Sequence, residues 1–138
     1  MGAIGDEHID GTGRGSAYVF IDGNGSWSQQ AKLTIDGRDG IYSVALSGDG
    51  TSALVGTPFA EGSNDPATGE AHVFDTAGSS WSRHATLTAD DGDSNDQFGK
   101  SVALSSDATT ALIGADTDVE EGSSEDNNIT GSAYVFSI

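Results

Sequence analysis

Internal repetition constrains this chain more than any local motif, because a sequence that copies itself builds its core by stacking one supersecondary unit on the next. The block Gly15-Ser16-Ala17-Tyr18-Val19-Phe20 returns 54 positions later (15 to 69) as Gly69-Glu70-Ala71-His72-Val73-Phe74. It returns again 62 positions after that (69 to 131) as Gly131-Ser132-Ala133-Tyr134-Val135-Phe136. Trp27 to Leu33 (WSQQAKL) recurs as Trp81 to Leu87 (WSRHATL), also 54 later. Ser43 to Ser47 (SVALS) recurs as Ser101 to Ser105, and Gly56 as Gly114, both at a step of 58. Gly2 precedes Gly15 by the same 13 positions that separate Gly56 from Gly69. One repeating unit therefore accounts for the chain, cut mid-repeat at either end.

The recurring blocks have strand chemistry. In Ser16 to Ile21, Ala17, Val19 and Ile21 point one way and Tyr18 and Phe20 the other, so both faces are apolar, as for a strand between two sheets. Ser43 to Ser47 and Ser52 to Gly56 are equally short, small and apolar. Trp27, Gln29, Ala31, Leu33 and Ile35 alternate with Ser28, Gln30, Lys32 and Thr34, which reads as an outer strand wet on one face. Clusters of Gly, Asn, Asp and Ser separate the blocks; glycine takes positive φ and Asx side chains bond their own backbone. With 20 glycines, 2 prolines and no room for long helices, the expected fold is all-β. It consists of consecutive four-stranded antiparallel blades of a partial β-propeller: a partial blade over 1–35, a complete blade over 36–89 and a three-stranded incomplete blade over 90–138.

Charge narrows the partners. The chain carries 22 Asp and Glu against 5 Lys and Arg, a net charge of −17 with pI ≈ 4.1. Nucleic acid is excluded as an expected partner, since affinity for phosphate needs cationic side chains, and the only ones are Arg14, Lys32, Arg38, Arg83 and Lys100. An anionic membrane surface is disfavoured likewise. No apolar run approaches the ~18 residues of a spanning helix, and the N-terminus as written lacks a signal layout, so no membrane insertion is expected. Self-repulsion at this charge largely vanishes at molar salt, where the Debye length is ~3 Å, so a lysine-poor acidic surface reads as adaptation to brine. The absence of Cys rules out disulfides, thiolate metal sites and a cysteine nucleophile.

Several residues carry a family resemblance. Phe98-Gly99, the strand Ser101 to Ser105, and Gly114-Ala115 resemble the FG-GAP repeat of integrin-α-type β-propellers. The Trp-Ser-x-x-Ala-x-Leu-Thr and Gly-Ser-Ala-Tyr-Val-Phe blocks look like its bacterial and archaeal branch. In the first copy Ile41-Tyr42 stands where Phe-Gly is expected, and Gly56-Thr57-Pro58 replaces Gly-Ala-Pro. Glycines 56, 99 and 114 are expected where neighbouring blades crowd together, and Trp27, Trp81, Tyr18, Phe20, Phe74, Tyr134 and Phe136 are expected to fill the space where blades splay apart. The resemblance implies an extracellular or cell-surface propeller whose loops engage a protein or glycan ligand.

The resemblance also implies an Asp-rich calcium loop after the first strand. The corresponding turns, Ala45 to Gly50 and Ala103 to Ala108, keep only Asp49 and Asp107 as carboxylates and are not expected to hold calcium. A better-equipped loop has oxygen side chains at alternate positions: Asp91, Asp93, Asn95, with Asp96 where a glycine is usual. It reads either as a weak calcium site or as a solvated acidic connector; no other cofactor is expected. The stretches Asp6 to Asp10 and Asp116 to Asp126 are acidic without a ligand pattern. His72 stands at the Tyr18 and Tyr134 position and His84 at that of Gln30, so histidine replaces ordinary scaffold residues, and His8 has no match. With no Gly-x-Ser-x-Gly turn and no phosphate-cradling loop, no enzymatic activity is expected. Two glycosylation sequons begin at Asn24 and Asn128.

Roughly two blades cannot close a ring, since propellers have ~4–8. The chain is therefore expected to pack against other propeller blades, either of the same longer protein or of further copies joined head to tail. In the latter case the N-terminal outer strand would complete the C-terminal blade of a neighbour, and the Ser16 to Phe20 and Ser132 to Phe136 strands would compete for one place. The expected binding surfaces are Phe59 to Thr68 and Asp116 to Thr130; the alternative to a binding or adhesion module is a purely structural or remnant set of blades.

Overall fold

The structure, a computed structural model, describes residues 2–3, 15–35, 40–60, 68–117 and 131–138. These contain strands and no helix: β1 (Gly2–Ala3), β2 (Ser16–Asp22), β3 (Trp27–Leu33), β4 (Ser43–Leu46), β5 (Ser52–Thr57), β6 (Glu70–Ala77), β7 (Ser80–Leu87), β8 (Ser101–Leu104), β9 (Thr110–Ala115) and β10 (Ser132–Ser137). They form three antiparallel sheets in the orders β1-β2-β3, β4-β5-β6-β7 and β10-β9-β8. The fold is all-β, a four-stranded blade flanked by two incomplete ones. The short β1 goes beyond the sequence reading, which counted no strand there. Gly2 pairs with Ala17 as Gly56 pairs with Ala71, so β1 is the last part of a second blade strand.

Repetition in sequence becomes repetition in register. Ala17 faces Leu33 and Ala71 faces Leu87, and both pairs of strands shift register at the same place, between Val19 and Phe20 and between Val73 and Phe74. There the outer strand carries one extra residue, Gln30 in one sheet and His84 in the other. Such a bulge sharpens the local twist and lets the outer strand curl over its neighbour.

Two apolar cores lie between the sheets. One unites Ala17, Leu33 and Ile35 with Ile41, Ala53, Val55 and Phe74; the other unites Leu54, Ala71 and Val73 with Phe98, Ala111, Ile113 and Ala115. The middle sheet thus buries both faces, and its β5 is covered along its entire length. The end sheets bury one face each. The sequence Ser-Val-Ala-Leu shows this directly: in β4, Ala45 is half-buried while Val44 and Leu46 are exposed, whereas in β8, Val102 and Leu104 are half-buried and Ala103 is exposed.

This corrects the expectation that all seven aromatics fill space between blades. Phe74 is buried, and Tyr18, Trp81, Tyr134 and Phe136 are half-buried. Phe20 is 39 % and Trp27 71 % exposed, because they lie on the face of the first sheet that no described sheet covers. Trp81, the equivalent of Trp27, has a neighbour: its indole N–H donates to Gln30 Oε1 at 3.1 Å.

Candidate functional site

The seam between the second and third sheets is where the chain is tightest. Phe98 is buried and packs edge-on against Tyr134 and Phe136, with ring centroids 5.4 and 5.9 Å away. Its N–H donates to the Thr68 carbonyl at 3.0 Å, and Ser43 Oγ donates to the Gly99 carbonyl at 2.8 Å. A Cβ on Gly56 would lie 2.0 Å from the Gly99 carbonyl oxygen, and one on Gly69, whose φ is +90°, would lie 2.1 Å from that of Phe98. The expected close approach at Gly56 and Gly99 is present, and Gly69 joins it. Sequence reading missed Gly69 because its block was read only as a strand start.

The first copy departs from the Phe-Gly pattern in a different register from the one expected. The N–H of Tyr42 donates to the Gly56 carbonyl as that of Lys100 donates to the Gly114 carbonyl, so Tyr42 is the counterpart of Lys100 and Ile41 of Gly99. Gly40 falls at the place of Phe98, and the buried Ile41 supplies the missing apolar volume.

Equivalent positions on successive sheets are neighbours, and these two meet at the surface. Lys100 Nζ sits over the Tyr42 ring at 4.5 Å and over the Phe59 ring at 5.2 Å from the centroids. The two rings meet edge-on at 6.1 Å. Gln97 Oε1 accepts a hydrogen bond from Lys100 Nζ at 2.7 Å, which fixes the ammonium. Tyr42 is 41 % and Phe59 50 % exposed. The backbone beneath is held by the N–H of Ala60, which donates to the Thr57 carbonyl at 3.0 Å. Phe59 begins the first of the two expected binding surfaces; residues 61–67 of it lie outside the described residues, as do 118–130 of the second. Tyr42 and Lys100 were not singled out from sequence, although their common step of 58 would have paired them.

In the turns Ala45 to Gly50 and Ala103 to Ala108 the remaining carboxylates bond their own turns. Asp49 Oδ1 accepts from Ser47 Oγ at 2.7 Å and from the N–H and hydroxyl of Thr51 at 3.0 and 2.8 Å. Asp107 Oδ1 accepts from Ser105 Oγ at 2.6 Å and from the N–H and hydroxyl of Thr109 at 3.2 and 2.9 Å. These bonds stabilise the carboxylate form, led in each case by the serine hydroxyl; they hold Asp49 below the ordinary aspartate value and take Asp107 down to about 2. Each carboxylate closes the hairpin between a first and second blade strand.

In the acidic loop two of the four candidate calcium ligands have side-chain partners in the fold. Asp91 Oδ1 accepts from the Tyr134 hydroxyl at 3.0 Å, and the buried Asp96 turns inward, where Oδ2 accepts from the N–H of Asp93. Asn95 adopts φ +77° and its carbonyl accepts from the Thr117 hydroxyl. Among the described residues no group of three or more acidic or histidine side chains that could hold a metal is found.

Of the histidines, His72 is buried between Thr57 Oγ1 and Thr86 Oγ1, each 3.2 Å from a ring nitrogen. Glu70 Oε2 lies 3.4 Å from Nε2 and favours the charged ring, yet burial, reinforced by Arg83, prevails and holds the pKa down to about 4. His84 is exposed and 3.3 Å from Asp75 Oδ2; His8, like the Asp6 to Asp10 stretch and the Asn128 sequon, lies outside the described residues. Asn24 is exposed at the β2–β3 hairpin tip with φ +62°.

A second surface feature is an apolar cleft of about 540 Å³ beside β2, lined among others by Tyr18, Phe20, Trp27, Val44, Leu46 and Val55. It lies where a complete blade would place its first two strands.

Residues 81–136, spanning the outer strand β7, the tight Phe98-Gly99 corner and the whole third sheet, match the family model of the FG-GAP repeat. The chain carries an FG-GAP repeat. FG-GAP repeats form β-propellers, which accords with the blade-like sheets, and the earlier copy of the same strands precedes the matched repeat in the chain. No curated protein matches the chain. No helix among the described residues is long and apolar enough to cross a membrane.

Proposed function

We propose that this FG-GAP chain is a non-catalytic binding module, part of the β-propeller of a halophilic surface or secreted protein, and that it engages a protein or glycan through its loops. The observation that carries this reading is the Tyr42, Phe59 and Lys100 cluster. Two half-exposed aromatic rings are held still by an ammonium and by a glycine-tight seam below them. Rigid aromatic faces offer contact area at little entropic loss, both to side chains and to the C–H faces of sugar rings. The non-catalytic part is supported by His72, which is enclosed between two threonines. The acidic, lysine-poor composition supports a salty setting, and export would make the Asn24 hairpin available to a glycan. The test is an array of glycans and surface proteins probed in about 2 M KCl. Saturable binding that falls at least about tenfold in a Tyr42→Ala/Phe59→Ala double variant is expected; no saturable binding, or binding indifferent to both changes, would overturn the reading.

One observation favours a second reading, purely structural blades. Large apolar side chains lie uncovered at both ends of the molecule, Phe20 and Trp27 on the first sheet and Leu112 and Val135 on the third. They suit further blades better than a soluble ligand.

A further inference from the structure

The two open ends of the molecule fit one another. Beside β2, among the described residues, only β1 pairs with the inner edge, and only at Ser16 and Ala17. In the middle sheet the equivalent edge of β6 is paired by β5 from Thr57 back to Ser52, with Ala53 opposite Phe74, Leu54 opposite Val73 and Val55 opposite His72. The 540 Å³ cleft thus marks the place of a first-and-second strand pair, and the lining residues Val44, Leu46, Phe20 and Trp27 are exposed there. The third sheet has the reverse lack. It holds such a strand pair, β8 and β9, followed by β10, with no described strand on the outer edge of β10 and with Val135 70 % exposed.

The strand that would have to move is interchangeable with the one that would replace it. β10 and β2 lie in identical Gly-Ser-Ala-Tyr-Val-Phe blocks at 131–136 and 15–20. β9 faces β10 with Ala111 opposite Phe136, Leu112 opposite Val135 and Ile113 opposite Tyr134; β2 would set Phe20, Val19 and Tyr18 at those same places. β2 also brings β3 with it, which β10 cannot. We propose that copies of this chain join head to tail by strand exchange, β2 and β3 of one copy replacing β10 on β9 of the next to complete a four-stranded blade.

Swapping an identical element between copies costs little, since each pairing that β9 gives up with β10 is made again with β2 of the neighbour. The β2–β3 pairing, with its bulge, is carried over unchanged and the two β1 pairs at Ser16 and Ala17 are given up; the gain is the filling of the cleft beside β2 by β8 and β9 of the neighbour and the burial of Trp27 as Trp81 is covered now. Exchange also resolves the rivalry of two strand copies for one place, because the strand without an outer partner leaves. A net charge of −17 on each copy opposes association except at high salt, where screening is short-ranged. Each copy then contributes two blades, one of its own and one shared, so closed assemblies have an even number of blades. The usual ~4–8 blades of propellers correspond to about two to four copies. The assembly is independent of what the loops bind.

The test uses the full chain in about 2 M KCl. Light scattering is expected to give masses of about two to four chains, and in a Trp81→Phe variant the emission of Trp27 should move to shorter wavelength as concentration rises. Because the chain has no cysteine, two engineered pairs report on the strands directly. Val19→Cys with Leu112→Cys should give intermolecular disulfides, whereas Leu112→Cys with Val135→Cys should fail to close within one chain. A monomer at all concentrations, or a ready Leu112–Val135 disulfide within one chain, would overturn the proposal. An oligomer whose Val19 and Leu112 positions never cross-link overturns it too, and assigns the contact to whole-blade packing. The mass and Trp27 measurements stand even if the cysteine variants fold poorly.

Discussion

Replacing three glycines by alanine, one at a time, separates the two physical demands that the blade seam makes. Gly50 has φ +73° with open space around its missing Cβ; Gly56 would place a Cβ 2.0 Å from the Gly99 carbonyl oxygen; Gly69 combines φ +90° with a Cβ 2.1 Å from the Phe98 carbonyl oxygen. A left-handed residue that is not glycine costs about 1–2 kcal/mol, so Gly50→Ala should lose about 1 kcal/mol. Non-bonded heavy atoms settle at ~3.5–4 Å, so the clashes at Gly56 and Gly69 need more than about 1 Å of opening between two backbone segments; overpacking of that kind costs about 1–3 kcal/mol or more. Gly56→Ala should therefore lose about 1–3 kcal/mol through contact alone, and Gly69→Ala about 2–5 kcal/mol by adding both terms. Urea unfolding in molar KCl, followed by tryptophan fluorescence, reads the order from the midpoints with the slope unchanged. Were Gly56→Ala and Gly69→Ala no worse than Gly50→Ala, the sheets would not be locked through this seam, and the account of the Phe98-Gly99 corner would fail.

Phe98→Ala should cost about 3–5 kcal/mol in the same assay, because it empties the site where two other rings converge; a loss below about 1 kcal/mol would mean that the third sheet is held elsewhere. His72 stays neutral in the fold with a pKa near 4 against 6.5 unfolded, so its stabilising effect is complete above pH 6.5 and fades as pH falls toward 4. The ceiling on that loss is about 3 kcal/mol, and about half is expected after solvent screening; His72→Tyr, which restores the residue of the other copies, should remove the dependence. The thermal midpoint should rise between about 0.1 and 2 M KCl as repulsion within a chain of net charge −17 is screened; a flat response would contradict the reading of the acidic surface as adapted to brine.

The blade strands were legible because both kinds of information agreed. The repeated blocks located β2, β6 and β10, and their alternation of residues named the faces that pack. The bulges were not legible, since a one-residue excess in β3 and β7 leaves Gln30 and His84 looking like ordinary members of an alternating strand. Nor was the true register of the first Phe-Gly corner, where matching by bulk chose Ile41 for Phe98 and missed that volume had moved one position along the chain. The Tyr42 and Lys100 contact arises only once sheets are side by side, so it needed comparison of equivalent positions rather than of neighbours in sequence. In the acidic loop the alternation of oxygens did not reveal that Asp96 bonds the backbone of its own turn or that Asp91 accepts from the Tyr134 hydroxyl, since both depend on the folded turn.

What decides the burial of a blade strand here is its neighbours. β4 and β8 have one sequence and inverse exposure, because among the described residues no strand pair covers β4 on the Val44 and Leu46 side and no sheet covers β8 on the Ala103 side. A strand made to be covered on both sides has no polar face to turn outward, so at an open end it must present valine and leucine to water. The exposure of Leu46 at 53 % and Val135 at 70 % follows from position in the row of blades and not from any local defect in pattern. Polar substitutions at these two sites should then leave an isolated chain almost unaffected while weakening any assembly that covers them, whereas the same substitutions at their covered counterparts, Leu104 and Val73, should unfold the chain itself.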